Sequence, residues 1–538
     1  MTLLLRHSRD LPQDLEFDFW FPVTDTTVNL PPGSKWPDVA TRLEQAYDRC
    51  ADACWETGLA LAKEPGSEIA RTPTMGAYGT DFRLMMAWVV LSAELADAAE
   101  RYLVVCNDPW VFREIAMRPD VVAGSPPGLI AAKARLRLRG LLSRSRNAFR
   151  LLATSLRLRG QRKNVLPGGP AILVYGHPGS KPDGADAYFG DLLDRETSLQ
   201  RVLHSDCSLG LARILSGPRT ASIHAWGSPF FALSLVWTKW RRKSGKKESF
   251  AWLVDRAVEI ENSGAGPLMT RWQMHCQDNW IKGVRPSVVA WPWENFAWER
   301  ALCRTAKRQG VKTIGYQHTV VGCHQINFAA CLNPDGETSL PDTIVCNGPG
   351  YRRELEAWGH PAEKMPIGGA FRVSVPPLIA HVADAPVYFA LSGLIPIARA
   401  QIEAAQDVAR TGRLVLFRDH PMYPMDIGET DFLSRADKGL REQSELSAVV
   451  YSTGTSGLEA MMSGVPTIRF QPDDRVAVQV LPEGVTAPTA NRNTIVDMLR
   501  NPALPEAVSW DQIFAPVDYA FWHSQLSEAG NDKAYCLV

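Results

Sequence analysis

Residues Ala448–Ile468 read AVVYSTGTSGLEAMMSGVPTI. An apolar run, AVVY, ends at Tyr451 in a turn made of hydroxyl and glycine residues. A helical pattern opens near Gly457–Leu458, and a second apolar run, PTIRF, begins at Pro466. Strand, turn, helix and strand in that order form the repeating unit of a parallel sheet with crossover helices. The first N–H groups of such a helix have no partner within it, and the helix dipole adds partial positive charge there. Ser452, Thr453, Thr455 and Ser456 add hydroxyl donors, and Gly454 and Gly457 permit close approach of an anion. A helix cap needs only one such hydroxyl. The richer turn predicts a phosphate cradle. The lysine of the GxxxxGK[ST] loop is absent, so it is not a Walker loop.

One unit upstream, Arg413–Phe417 (RLVLF) leads into RDHP, which brings His420 and Pro421 to the same carboxyl edge. Proline fixes the chain after the histidine. A histidine can donate to a phosphate oxygen or protonate a leaving group. Val387–Leu391 (VYFAL) starts this series. An earlier series runs through Tyr102–Cys106, Ala171–Tyr175, Ser287–Trp291, Lys312–Tyr316 and Thr343–Cys346. Gly368–Pro377, rich in Gly and Pro, lies between the two. The pattern predicts an α/β protein of two Rossmann-like, doubly wound domains facing a cleft, 1–372 and 373–510. Residues 511–538, with Trp510 just before them, are expected to pack back as a closing helix. Ligands of such sheets sit beyond the carboxyl ends of the strands.

The chain has 538 residues, more than one core ordinarily serves. Its 45% apolar and 22% charged residues are those of a globular protein, and its zero net charge argues against a general nucleic-acid binder. The ten cysteines form no CxxC pair and no zinc spacing. Met1–Asp10 lacks an apolar signal core and no apolar run approaches the ~20 residues of a membrane span. These features predict a cytoplasmic protein.

Residues 131–163 stand apart, with eleven Lys or Arg, no Asp or Glu, and interleaved leucines. They read as one or two basic amphipathic helices inserted in the first domain at about 125–165. Either they contact an anionic inner-membrane surface peripherally, or they present an ordinary solvated face.

The order His420–Pro421, then Ser452–Thr453, resembles the HP and Ser/Thr motifs of bacterial sialyltransferases and Kdo transferases of the B-type fold. The resemblance implies the GT-B arrangement and a CMP-sugar donor, carrying Kdo or a sialic-like nonulosonic acid, with its phosphate held by His420 and the hydroxyls. Those families carry an acidic-acidic-Gly motif for the base, whereas Pro182–Tyr188 reads PDGADAY, with one acid before the glycine. Ala290–Thr319, together with YSTGTSGLEAM, is similar to bacterial surface carbohydrate proteins of capsule and lipopolysaccharide clusters.

Sugar transfer needs a base across the cleft from the phosphate. Asp183 and Asp186, in the loop after Ala171–Tyr175, are one choice. Glu294 is the other, set among Trp291, Trp293 and Trp298, where burial raises a carboxyl pKa. Gln317 and His318, at the end of Lys312–Tyr316, are expected at donor or acceptor hydroxyls, with a satisfied core histidine the other reading of His318. Glu459 either holds the nucleotide ribose or caps its helix. No Asp-x-Asp pair occurs, which with a helix N-terminus available favours transfer without a metal ion; no cofactor is expected, and the transfer is expected to invert. The predicted partners are a nucleotide sugar and a glycan or lipid-linked glycan acceptor. The rivals are a UDP- or GDP-sugar donor, a CDP-alcohol phosphotransferase, and a non-catalytic glycan-binding protein.

Overall fold

The computed structural model describes the chain except for residues 1–2, 13–14, 24–27, 29, 31–33, 183, 243–249, 422 and 528–538. Its strands form two six-stranded sheets, a four-stranded sheet and a two-stranded ribbon, all paired in parallel.

The middle sheet runs Thr343–Cys346, Lys312–Gln317, Val288–Pro292, Ala171–Val174, Gln200–Leu203, Thr220–Ser222. Counted along the chain from Ala171–Val174, its order is that of a doubly wound sheet, and the winding reverses between Ala171–Val174 and Val288–Pro292. The C-terminal sheet repeats this order in Leu433–Arg435, Val415–Arg418, Val387–Ala390, Ala448–Tyr451, Thr467–Phe470 and Thr489–Ala490. Its reversal lies between Val387–Ala390 and Ala448–Tyr451. The central strands are apolar along their whole length because helices cover both faces, and AILV, VYFA and AVVY are buried throughout. The two sheets face each other across a cleft, the GT-B arrangement.

Tyr102–Cys106 does not join the middle sheet. It lies in the four-stranded sheet Phe19–Val23, Tyr102–Cys106, Leu3–Arg6, Val121–Ala123. Phe21, Val104, Leu43, Met85 and Trp88 form that sheet's core. Its partner strands are three to five residues long, and one carries Pro22, so they leave little pattern to read. This unit touches the C-terminal half. Glu44 accepts from Arg469 at 2.8 Å and Lys35 pairs with Asp473 at 2.6 Å. It also touches the middle sheet's loops, where His324 bonds Asp48 at 2.8 Å.

The basic segment is one helix, Leu129–Leu158, followed by a 3-10 stretch, Arg159–Asn164. The helix Tyr519–Ser527 packs on the middle sheet. Trp522 is fully buried against Phe189 and Tyr316, and its indole donates to the Gly368 carbonyl at 3.0 Å. No helix among the described residues is long and apolar enough to cross a membrane.

Candidate functional site

The two winding reversals place their loops against each other, and two cavities open there. One, of about 430 Å³, lies between the sheets and is lined by His177, His318, Arg372, His420 and the turn Thr453–Ser456. The other, of about 500 Å³, lies within the first half, lined by Tyr78, His204, Asp206, Gln273, Glu294 and Trp298, with Arg71 and Arg150.

The C-terminal wall of the cleft is built by the turn after Ala448–Tyr451. Gly454 has φ 97°, a left-handed conformation that disfavours a side chain, and the helix Ser456–Met462 follows. Thr453, Gly454, Thr455 and Ser456 line the cavity, and the Thr453 and Ser392 hydroxyls lie 2.8 Å apart. Ser452 does not line it. It is fully buried and its hydroxyl donates to the Phe470 carbonyl at 2.6 Å, tying two strands together. The expectation that the Ser452 hydroxyl holds a phosphate is therefore corrected: the first turn residue still points into the sheet, and the cavity lining begins one residue later. Glu459 is likewise taken up elsewhere. Its carboxylate accepts from Arg441 at 2.8 Å and lies outside the cavity lining.

His420 and Pro421 line the same cavity. The ring of His420 stacks on Tyr423 with centroids 5.8 Å apart. Gly393 leaves room for that ring, since a Cβ there would meet the imidazole at 3.2 Å. Facing it across the cleft is His177, which sequence reasoning passed over. His177 Nδ1 accepts the Gly179 N–H at 2.9 Å, which leaves Nε2 as the protonated nitrogen and a donor. Burial lowers both imidazole pKa values, and the Arg372 guanidinium lowers them further, so both rings are neutral donors near pH 7.

Arg372 was also missed. It follows Phe371, whose N–H donates to the Tyr316 hydroxyl at 3.0 Å, and its guanidinium lies over the Tyr188 ring at 5.2 Å. Its charge reaches His177, His318, His420 and Glu294.

Glu294 is in the wall of the second cavity and close to the wall of the first. Its carboxylate lines the second cavity, and Oε1 lies 3.9 Å from Nε2 of His318, which lines the first. The turn carrying it is rigid. Glu299 accepts the N–H groups of Glu294 at 2.9 Å and Asn295 at 3.1 Å, and the Trp291 indole at 3.0 Å. Asn295 takes a left-handed φ of 59°, which asparagine tolerates better than most residues, and its side chain donates to the Asn327 carbonyl at 2.8 Å. Surrounding protein pushes the Glu294 pKa up to about 7, with Arg372 opposing. A carboxylate near neutrality on a fixed loop is suited to take a proton from a hydroxyl.

The remaining candidates separate cleanly. Asp186 is corrected as a base: it is buried and lines neither cavity. Its oxygens accept Tyr188 N–H at 2.8 Å and the Ser180 hydroxyl at 3.2 Å, and lie 3.6 Å from buried Arg201. Those groups hold the loop together. Asp183 lies outside the described residues. Gln317 is corrected as a substrate ligand: fully buried, it donates to the Thr319 carbonyl and accepts Asn347 N–H at 3.2 Å. His318 does line the cleft, and its Nδ1 is buried without a hydrogen-bond partner.

The second cavity has an aromatic wall, where Tyr175 and Trp298 meet edge to face at 6.0 Å and His204 lies 4.8 Å from each. His204 Nδ1 also accepts the Asp206 N–H at 3.2 Å. Aromatic faces beside convergent polar groups suit a sugar ring.

No protein-family model and no curated protein matches the chain. Solved structures do resemble it at low identity. The glycotransferase of kitacinnamycin is 12% identical, covering 68% of this chain and 92% of its own, with a TM-score of 0.35. The lipopolysaccharide outer core galactosyltransferase WaaB is 10% identical over 61% of this chain and 88% of its own, with a TM-score of 0.30. UDP-N-acetylglucosamine 2-epimerase from Rickettsia bellii is 11% identical over 58% and 80%, with a TM-score of 0.32.

Proposed function

We propose that this chain is a glycosyltransferase that moves a sugar from a CMP-sugar to a hydroxyl of a surface-glycan acceptor. The observation that carries this reading is the approach of two cavity walls through Glu294 and His318, 3.9 Å apart, one cavity lined by Arg372, histidines and hydroxyls and the other by aromatic rings. The donor phosphate lies in the cleft against Arg372, His177, His420 and the Thr453–Ser456 turn. The acceptor lies in the second cavity with one hydroxyl towards Glu294.

Glu294, as the carboxylate, takes the proton of that hydroxyl. The oxygen's electron pair forms a bond to the anomeric carbon as the bond from that carbon to the phosphate oxygen breaks. Its electrons leave with the nucleotide. The departing charge falls beside Arg372, neutral imidazole N–H donors and backbone N–H groups, which need no reorganisation to receive it. Attack and departure on opposite faces of the sugar invert the anomeric centre.

The CMP-sugar, with Kdo or a nonulosonic acid as the sugar, rests on the resemblance of His420–Pro421 and Ser452–Thr453 to the HP and Ser/Thr motifs, of which Thr453 but not Ser452 lines the cleft. The test is thermal stability of the purified protein with CMP, CDP, UDP, GDP and ADP. A ligand at ~100 times its dissociation constant stabilises by ~2.7 kcal/mol. A selective rise in Tm with CMP, lost in His420→Ala, is expected. A rise with UDP or GDP instead overturns the donor. No rise with any nucleotide overturns the transferase reading in favour of a glycan-binding protein.

A further inference from the structure

The helix Leu129–Leu158 has one face inside the protein and one outside. Gly140, Arg144, Ala148, Leu151 and Leu158 form the inner face. Gly140 lies so close to the Asn262 carbonyl that no side chain fits, and buried Arg144 donates to that carbonyl at 2.7 Å and to the Val236 carbonyl at 3.0 Å. The opposite face carries Leu138, Leu142, Phe149 and Leu156, which are between 52% and 63% exposed. Spacings of four and seven residues put these four in one stripe along the helix. A row of arginines with the same spacings, Arg135, Arg139, Arg146, Arg150 and Arg157, runs beside the stripe, and all five are exposed.

None of those five arginines forms an ion pair among the described residues. The neighbouring Arg137, by contrast, is bound to Glu259 at 2.5 Å. Next to the helix, Pro229–Ser234 and Leu235–Trp237 pack along it and expose Phe230 at 85% and Trp237 at 74%. Large apolar side chains left in water are costly unless something covers them, and the unpaired cations beside them set the charge of what does so. The segment 131–163 holds eleven Lys or Arg and no acid, so the covering surface is apolar and anionic.

We infer that this face docks on an anionic lipid bilayer, with Leu138, Leu142, Phe149 and Leu156 entering the interface and the arginine row on the phosphates. Arg150 belongs to that row and also lines the cavity that holds Glu294. The docked face is thus continuous with the proposed acceptor site, and an acceptor carried by a lipid phosphate reaches Glu294 along the arginine row. The docking itself does not depend on the reading of the reaction.

Flotation of the full-length protein with vesicles, with no nucleotide present, tests this. The vesicles are phosphatidylcholine alone, or phosphatidylcholine and phosphatidylglycerol in equal parts. The wild type is expected to float with the anionic vesicles and to remain behind with the neutral ones. Arg135→Gln with Arg139→Gln and Arg146→Gln is expected to weaken binding on the order of a hundredfold, at about 1 kcal/mol per cation. Leu138→Gln with Leu142→Gln and Phe149→Gln should abolish it. All six side chains are exposed, so melting curves should match the wild type. Equal binding to both vesicles, none to either, or variants that bind like the wild type overturns the proposal. So does a wild-type dimer in sedimentation velocity that the apolar variant dissociates, since a second copy then covers the face.

Discussion

The winding reversals of the two large sheets occupy equivalent places and carry opposite chemistry. After Val288–Pro292 the middle sheet offers a carboxyl group with a pKa near 7, Glu294, and the neighbouring strand Lys312–Gln317 brings the histidine beside it, His318. After Ala448–Tyr451 the C-terminal sheet offers hydroxyls and backbone N–H groups, Thr453–Ser456. One side is suited to remove a proton and the other to receive a leaving anion. Topology sets where a site forms, and the loops set what it does. Arg372, in the connection between the sheets, acts on both sides at once: its charge lowers the pKa of Glu294, of His177 and of His420.

The sharpest break in this comparison is at Glu294. Glu294→Gln keeps the shape and removes the base, and should lower kcat about 10²- to 10⁴-fold with nucleotide affinity and Tm little changed. In the wild type kcat/KM should be level above pH 7 and fall as pH drops through about 7, because protonation removes the base. A variant with full turnover, or a profile flat from pH 5 to 8, would remove Glu294 from this role.

Asp186→Asn tests the same half in the opposite sense. It breaks a fully buried pairing with Arg201 and should cost about 3 kcal/mol or more, read as a lower Tm. Turnover per folded molecule should not change. Arg372→Ala should come next, weakening nucleotide binding roughly 10- to 100-fold through loss of a charged partner worth about 1.5–3 kcal/mol. It should also move the kcat/KM limb to higher pH, since the guanidinium holds the Glu294 pKa down. An unmoved limb would place Arg372 away from the carboxylate in solution.

The smallest effects divide the turn itself. Ser452→Ala should lower Tm through loss of a buried hydrogen bond worth about 1 kcal/mol and leave nucleotide affinity intact. Ser456→Ala should do the reverse, weakening nucleotide binding by about fivefold at unchanged Tm. Reversed results would return Ser452 to the cradle.

Apolar runs punctuated by Gly, Pro and hydroxyl turns determined much by themselves: two doubly wound sheets, the carboxyl-edge turns at 420–421 and 453–456, and the tryptophan-rich setting of Glu294. These are local features, because strand periodicity and turn chemistry act over a few residues. His177–Pro178 repeats the His-Pro pair of residues 420–421 at the end of a strand, and that signal was available. Only the tertiary structure decided the rest. Asp186 and Glu294 are alike as acids after a strand, yet Arg201 and Ser180 occupy one while the other stands in an open cavity. Tyr102–Cys106 reads like any buried strand, and its sheet is set by partners more than 80 residues away, such as Phe19 opposite Tyr102. Arg372 carries no local signal, because its meaning comes from four groups that the folded chain brings within range of one charge. Pairing across a sheet and charge across a cleft depend on distance in space, which spacing along a chain does not encode.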